Sequence, residues 1–252
     1  MSWVLDLDGV LWLADQPLPG SADAVARLRR AGRRVIFITN NSSLTVAEYL
    51  AKLDGVGVPC DPADLVTSAQ AAAGLVEPGQ RAIVCAGEGV GEALAERGVE
   101  IVDRSPADVV MVGFNRDFDF PRLATATTAV LGGARLIGTN DDATYPTPDG
   151  PLPGAGSLLA AVAYASGATP TVAGKPHQPV ADLLHRRMDG AIELMVGDRP
   201  STDGLFARRL GTRFGLVRSG VTRPGQPAPD PVPDFDAADL SHLVDQVLGD
   251  GH

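Results

Sequence analysis

The chain is short of cysteine, of lysine and of positive charge, and each shortage narrows what it can be. Only Cys60 and Cys85 carry thiols in a sequence of 252 residues. That is too few for a disulfide framework, so a reducing, cytoplasmic setting is expected. No apolar run approaches the ~18 residues of a membrane-spanning helix. No basic segment precedes the N-terminal apolar one, so no signal peptide is expected. Lysine and arginine total 21 against 31 acidic residues, a net charge of −10. This balance opposes unaided binding to nucleic-acid phosphates and to an anionic membrane surface, so neither partner is expected. A small anionic ligand stays open, because a metal and one lysine can reverse the field locally. Among the basic residues only Lys52 and Lys175 are lysine. Where arginine is the default, a lysine marks a place suited to a compact ammonium, which singles out Lys175 before any motif does.

What is present is an ordinary globular content of hydrophobic residues, 44%, and enough length for one large or two modest domains. Trp3-Val4-Leu5 reads as a buried strand, and a helix over 21–31 follows, with Ser21 as N-cap and Gly32 as its end. Arg34–Ile38 is a second buried strand, and helical patterns cover 46–53 and 68–76. Strand and helix in alternation indicate a parallel sheet. The middle holds strands at 81–86, 99–102, 108–112 and 136–138, with helices near 91–97 and 120–131. It reads as a second α/β unit. A turn-rich stretch over 139–151 leads to a helix at 156–165 and an extended 170–172. Beyond it lie a helix at 180–188, a strand at 192–196, a helix at 205–210, a strand at 213–217, a Pro-rich surface loop at 224–233 and a last helix at 237–248.

Three apolar runs end in polar residues: Val4-Leu5 in Asp6, Val35–Ile38 in Thr39, and Leu194–Val196 in Asp198. In open parallel sheets, ligands bind outside the carboxyl ends of the strands. Asp6, Asp8, Thr39, Asn40 and Asp198 are therefore expected to converge, with Lys175 in Gly174-Lys175-Pro176 joining them. Clustered carboxylates repel unless a cation or a shared proton is present. Asp6, Asp198 and one backbone carbonyl suit Mg²⁺, which takes oxygen ligands. The ion and Lys175 would draw in a phosphate, with Thr39 and the following amides donating to it. Asp6 would attack phosphorus, and Asp8 would protonate the leaving alkoxide and then deprotonate water. Asp203 would hold a metal-bound water or orient Lys175.

Asp-Leu-Asp-Gly-Val-Leu at 6–11, Ile-Thr-Asn-Asn-Ser at 38–42, Gly-Lys-Pro at 174–176 and Gly-Asp-Arg-Pro-Ser-Thr-Asp at 197–203 resemble, in this order, the four motifs of haloacid dehalogenase superfamily phosphatases. Val112-Gly113-Phe114, Thr139-Asn140 and Pro153-Gly154-Ala155-Gly156 extend the likeness to subtype IIA over essentially the whole chain. The resemblance implies a doubly wound, Rossmann-like α/β core at 1–77 and 174–252, with an inserted, smaller α/β cap at 78–173. It implies a Mg²⁺-dependent phosphatase of small phosphorylated metabolites working through an aspartyl-phosphate, and the possibility of a homodimer through the cap. Carried over, Asp6 is the nucleophile and Asp8 the acid/base. Asp6, the Asp8 carbonyl and Asp198 bind the metal. Thr39, Asn40, Asn41 and Lys175 contact phosphate, and Asp203 stands behind the metal. The chain departs from the family at Pro200-Ser201, after Gly-Asp-Arg, and at Asn115, where an acid is frequent.

One rival reading comes from another class. Gly87-Glu88-Gly89-Val90-Gly91 follows a strand and opens a helix, with Asp103 ending the next strand, which imitates a dinucleotide fingerprint. It would make the chain a nucleotide- or dinucleotide-binding α/β protein without catalysis. Two local signals also have plain structural readings: His177 as a surface turn residue and Tyr145 as cap core.

Overall fold

The computed structural model describes residues 1–14, 16–147, 150–226 and 230–249. Part of the Pro-rich loop, 227–229, lies outside the described residues, as do 148–149 of the turn-rich stretch. In chain order the strands are β1 (Ser2–Asp6), β2 (Trp12–Leu13), β3 (Gln16–Pro17), β4 (Arg34–Thr39), β5 (Leu65–Thr67), β6 (Arg81–Cys85), β7 (Glu100–Ile101), β8 (Val109–Val112), β9 (Arg135–Gly138), β10 (Thr144–Thr147), β11 (Gly150–Pro153), β12 (Thr171–Val172), β13 (Ile192–Gly197), β14 (Arg213–Val217) and β15 (Phe235–Ala237). Contacts divide the chain into two compact units. The first is Met1–Thr39, Tyr49–Val66 and Leu184–His252, and the second is Asn40–Glu48 and Thr67–Leu183.

The first unit is built on a six-stranded sheet ordered β15-β14-β13-β1-β4-β5. β1 pairs in parallel with β13 on one side and β4 on the other. The chain runs outward from β1 through β4 to β5, then returns to the other side for β13, β14 and β15. This order reverses direction between β1 and β13, the switch point at which such sheets bind ligands. β1 is buried along its whole length, because a parallel strand covered on both faces needs apolar side chains pointing both ways. That is why Trp3-Val4-Leu5 is an unbroken apolar run rather than an alternating one.

The second unit carries a five-stranded sheet ordered β12-β9-β8-β6-β7. All five strands fall within 78–173. Its core is made by Val110, Val112 and Leu136 from the strands with Ala126, Leu159 and Val162 from the helices Phe120–Leu131 and Ala155–Ser166.

Several local expectations are corrected. The N-cap of helix Ser21–Arg30 is Gly20, at φ 78°, and the Ser21 hydroxyl donates to Leu18 O and Leu11 O instead. The positive φ suits glycine, and Ser21 serves to tie the preceding loop down. The stretch after Thr139 is not all turn: β10 and β11 form an antiparallel hairpin. Its prolines, at 146, 151 and 153, hid the strands, because proline is tolerated only where no ladder N–H is needed. The strands β2, β3, β5 and β15 and a π-helical turn at Pro200–Gly204 were not anticipated.

Candidate active site

Asp6 is the last residue of β1, and Asp198 directly follows β13, the parallel neighbour of β1. Asp203 lies within the turn Pro200–Gly204, which folds back so that its carboxylate accepts from Arg199 N at 3.1 Å. Asp6, Asp198 and Asp203 are all buried, and one oxygen from each lies within 4.8 Å of the others. Asp203 therefore stands inside the carboxylate cluster itself. Three buried carboxylates this close repel strongly unless a cation or protons compensate. The donor set is all oxygen, so it suits a hard divalent ion such as Mg²⁺.

Asp198 is held by a frame that its motif did not disclose. Val221 N donates to its Oδ2 at 2.5 Å, and Thr222 N donates to its carbonyl at 3.3 Å. Gly9 and Gly220 press against the same carboxyl group so tightly that a Cβ at either would clash with it. Gly9 also has φ 80°, which a side chain rarely adopts. The Ser219 hydroxyl donates to Gly9 O at 2.6 Å, joining the two glycine loops. The only sequence signal was a Ser-Gly pair after an apolar strand, too common to single out. Gly197 is glycine because a Cβ there would overlap the Asp203 carboxyl.

Asp8 is half-buried where the turn begins, and its Oδ1 accepts from the indole N–H of Trp12 at 3.1 Å. Thr39 ends β4, one residue past Ile38, which is in register with Asp6. Asp6, Thr39, Asp198 and Asp203 thus collect at one end of the first unit's sheet.

Asn40 and Lys175 belong to the second unit, where they hold each other. Asn40 Oδ1 accepts from Lys175 N at 2.7 Å, and Asn40 Nδ2 donates to Lys175 O at 3.0 Å and to Asp142 Oδ2 at 2.9 Å. Asn140 Nδ2 donates back to Asn40 O at 2.6 Å. This knot fixes the backbone of Lys175, whose side chain is 1% exposed. An ammonium so deeply buried is stable only against compensating negative groups. Asn140 and Asp142 were missed as site-building residues, since Asn-Asp-Asp reads as an ordinary turn. Asn41 behaves differently from Asn40: its Oδ1 accepts from Ser43 N and Ser43 Oγ, closing a local turn. His177 is a partly exposed turn residue, and its Nε2 lies 2.8 Å from Asp141 Oδ2. The hydrogen bond from His177 holds the Asp141 carboxyl below its usual range. Tyr145 stacks on Phe114 with ring centroids 4.8 Å apart.

The glycines of the imitation fingerprint have another explanation. A Cβ on Gly87 would stand 2.6 Å from Ser43 Cα, and one on Gly89 would stand 2.8 Å from Leu44 C. Gly89 N also donates to Ser43 O. The close approach that a dinucleotide would need is taken by the backbone at 43–44. Burial pushes the Cys60 thiol up to about 12 and the Cys85 thiol up to about 11, which disfavours the thiolate at neutral pH.

Known proteins bear on the same site. A sequence model described as haloacid dehalogenase-like hydrolase matches residues 3–100, and a second, HAD-hydrolase-like, matches 172–243. The acid sugar phosphatase of Staphylococcus haemolyticus is 32% identical over 225 residues, covering 87% of this chain and 86% of that protein. The chain belongs to the haloacid dehalogenase-like hydrolases. Solved structures of phosphatases superimpose on it closely. The p-nitrophenyl phosphatase of Archaeoglobus fulgidus has a TM-score of 0.89 at 29% identity, over 97% of this chain and 98% of that one. The glycerol phosphate phosphatase of Mycobacterium tuberculosis, solved in complex with magnesium, has a TM-score of 0.85 at 33% identity, over 96% of this chain and 75% of that one. In this haloacid dehalogenase-like hydrolase no helix among the described residues is long and apolar enough to cross a membrane.

Proposed function

We propose that the chain is a Mg²⁺-dependent phosphatase that hydrolyses small phosphomonoester metabolites through an aspartyl-phosphate on Asp6. The observation that carries this reading is the buried cluster of Asp6, Asp198 and Asp203 at the switch point of the sheet. The cluster would hold the ion, together with the Asp8 carbonyl. When bound, the ion supplies positive charge that neutralises both the carboxylates and the phosphate oxygens. Asp6 attacks phosphorus, so that an O–P bond to Asp6 forms as the ester P–O bond breaks. Asp8 gives its proton to the departing oxygen, and in the second step takes one from the water that displaces phosphate from Asp6. On their motif positions we assign Thr39, Asn40, Asn41 and Lys175 to phosphate contact. The segment 78–173 is assigned as the cap that selects the leaving group, inserted between core segments 1–77 and 174–252.

The test is phosphate release from 4-nitrophenyl phosphate, glycerol 3-phosphate, phosphoglycolate, pyridoxal phosphate, sugar phosphates and nucleotides, with Mg²⁺ and with EDTA. Release that needs the metal is expected, and silence on every ester would defeat the reading. Asp8→Asn is expected to slow esters of basic leaving groups by about 10²-fold more than 4-nitrophenyl phosphate, within the range of general acid catalysis. An equal loss on both would remove Asp8 from the acid role.

We assign the protein to the cytoplasm, which the two free cysteines support, and to a homodimer formed through the cap. Residues 123–134 and 150–174 contain no charged side chain in a chain of net charge −10. Their helices expose Leu131 and Tyr164, with Phe120 at the start of the first. Two acidic copies can meet there without opposing like charges. Light scattering is expected to give twice the chain mass, and Tyr164→Glu to shift it toward the monomer. A monomer at tens of micromolar in the unaltered protein would reject the pairing.

A further inference from the structure

The turn that carries Asp8 ends in a side-chain stack that the phosphatase reading does not use. Gly9 N donates to Trp12 O at 2.7 Å, and Leu11 N donates to Leu7 O at 2.9 Å, so the chain doubles back on Asp8. This places Trp12, wholly buried, with its indole N–H 3.1 Å from Asp8 Oδ1. Lys52, from the helix Val46–Gly55, stands over the face of the ring. Its ammonium lies 4.6 Å from the ring centroid and donates to Ala14 O at 3.0 Å. Ala14 is in the left-handed region, at φ 53°, beside the short hairpin of β2 and β3. Asp8, Trp12, Ala14 and Lys52 all belong to the first unit.

We propose that Trp12, braced by Lys52, is the positioning residue of Asp8, and that it confines the transferable proton to Oδ2. This rests on the acid/base role given to Asp8 above. The indole N–H is a donor and never an acceptor. It therefore requires Asp8 Oδ1 to accept, whether Asp8 is carboxylate or carboxylic acid. The carbonyl oxygen of a carboxylic acid accepts better than its hydroxyl oxygen, so the acidic hydrogen belongs on Oδ2 while Oδ1 takes the indole bond. In the first step that hydrogen passes from Oδ2 to the ester oxygen as its bond to phosphorus breaks. In the second step Oδ2 regains it from water. Lys52 acts in two ways. Its charge over the ring face is attracted by the π-cloud and polarises the indole, which strengthens the N–H as a donor. Its bond to Ala14 O keeps the hairpin that carries Trp12 in place. A compact ammonium can sit on a ring and bond a carbonyl at once. An arginine fork would stack flat across the ring, which gives a reason for one of the chain's two lysines.

The experiment compares phenyl phosphate with 4-nitrophenyl phosphate, which differ in leaving-group basicity but hardly in shape. Trp12→Phe keeps an aromatic ring and removes the donor. It is expected to cost about ten-fold more kcat on phenyl phosphate than on 4-nitrophenyl phosphate, a fraction of what a general acid supplies. Lys52→Met should shift the same ratio by about three-fold, with Lys52→Arg recovering part of it. In an Asp8→Asn background Trp12→Phe should leave the ratio unchanged, because it acts through Asp8. Equal losses on the two esters in both Trp12→Phe and Lys52→Met, with Asp8→Asn still discriminating, would make the stack merely structural and overturn the proposal while sparing the acid role of Asp8. If Asp8→Asn itself fails to discriminate, the acid role falls and this proposal falls with it. Should Trp12→Phe prove unfolded by thermal melting, Lys52→Met carries the same comparison.

Discussion

Replacing Asp6 with Asn is expected to lower turnover by on the order of 10⁴-fold or more, the scale seen when a covalent nucleophile is removed. An amide matches the carboxylate in shape, so the loss cannot be ascribed to a hole at the end of β1. Stability should move the other way. Asp6, Asp198 and Asp203 stand within 4.8 Å of one another and are buried. Neutralising one lessens their mutual repulsion, which salt screens only weakly at a buried site. In EDTA the variant is therefore expected to melt no lower than the unaltered protein. With Mg²⁺ its melting temperature should rise by less, because one ligand is weakened and stabilisation by a ligand follows its affinity. Phosphate release and thermal melting, each with and without metal, check both halves. Activity within ten-fold of the starting protein would sink the nucleophile assignment. A large drop in melting temperature in EDTA would show that Asp6 serves the fold more than the ion.

Much of this arrangement is legible in the amino-acid sequence, for a physical reason that also sets the limit. β1, β4 and β13 are covered on both faces, so their side chains must be continuously apolar, and a carboxylate at the end of such a run stands out. The ends of these runs named Asp6, Thr39 and Asp198, and parallel pairing brought them to one edge. What stayed hidden depends on contacts between distant segments. Nothing local ties Gly220 and Val221 to Asp198, because the connection is made only when the loop after β14 closes on the loop after β13. Asn140 and Asp142 likewise become meaningful only once Asn40 is known to bridge them to Lys175. Asp203 was placed behind the metal because five residues separate it from Asp198, a spacing that says nothing of a tightened π-helical turn. Such turns are uncommon and frequently mark functional sites. Here the tightening turns Asp203 inward, onto Asp198 and Asp6. β15 escaped because a three-residue edge strand with a central Asp236 lacks the apolar run that marked its neighbours.

The second large effect follows from the frame around Asp198. Gly220→Ala introduces one methyl group at a backbone position with no unusual dihedral, so all of its effect is steric. The new carbon would overlap the Asp198 carboxyl and stand 2.8 Å from Asp198 Cβ. Asp198 cannot swing aside freely, since Val221 N holds its Oδ2 at 2.5 Å and Gly9 also presses against its carboxyl group. Either the loop over 218–222 or the carboxylate must shift by about 1 Å or more, and displacements of that size at a catalytic centre cost roughly 10²-fold. The loss should appear first as a weaker response to the ion. The Mg²⁺ concentration for half-maximal phosphate release is expected to rise about ten-fold or more, with kcat partly recovered at saturating metal. The fold should hold, because the change lies at the rim of the sheet and not in its core. Ser219→Ala provides the milder comparison. It removes one hydroxyl bond to Gly9 O without adding volume, and a smaller shift of the same kind is expected. If Gly220→Ala keeps the Mg²⁺ response of the unaltered protein, the loop yields without moving Asp198. The two glycines would then be an accident of close packing, and not the walls of a metal-holding frame.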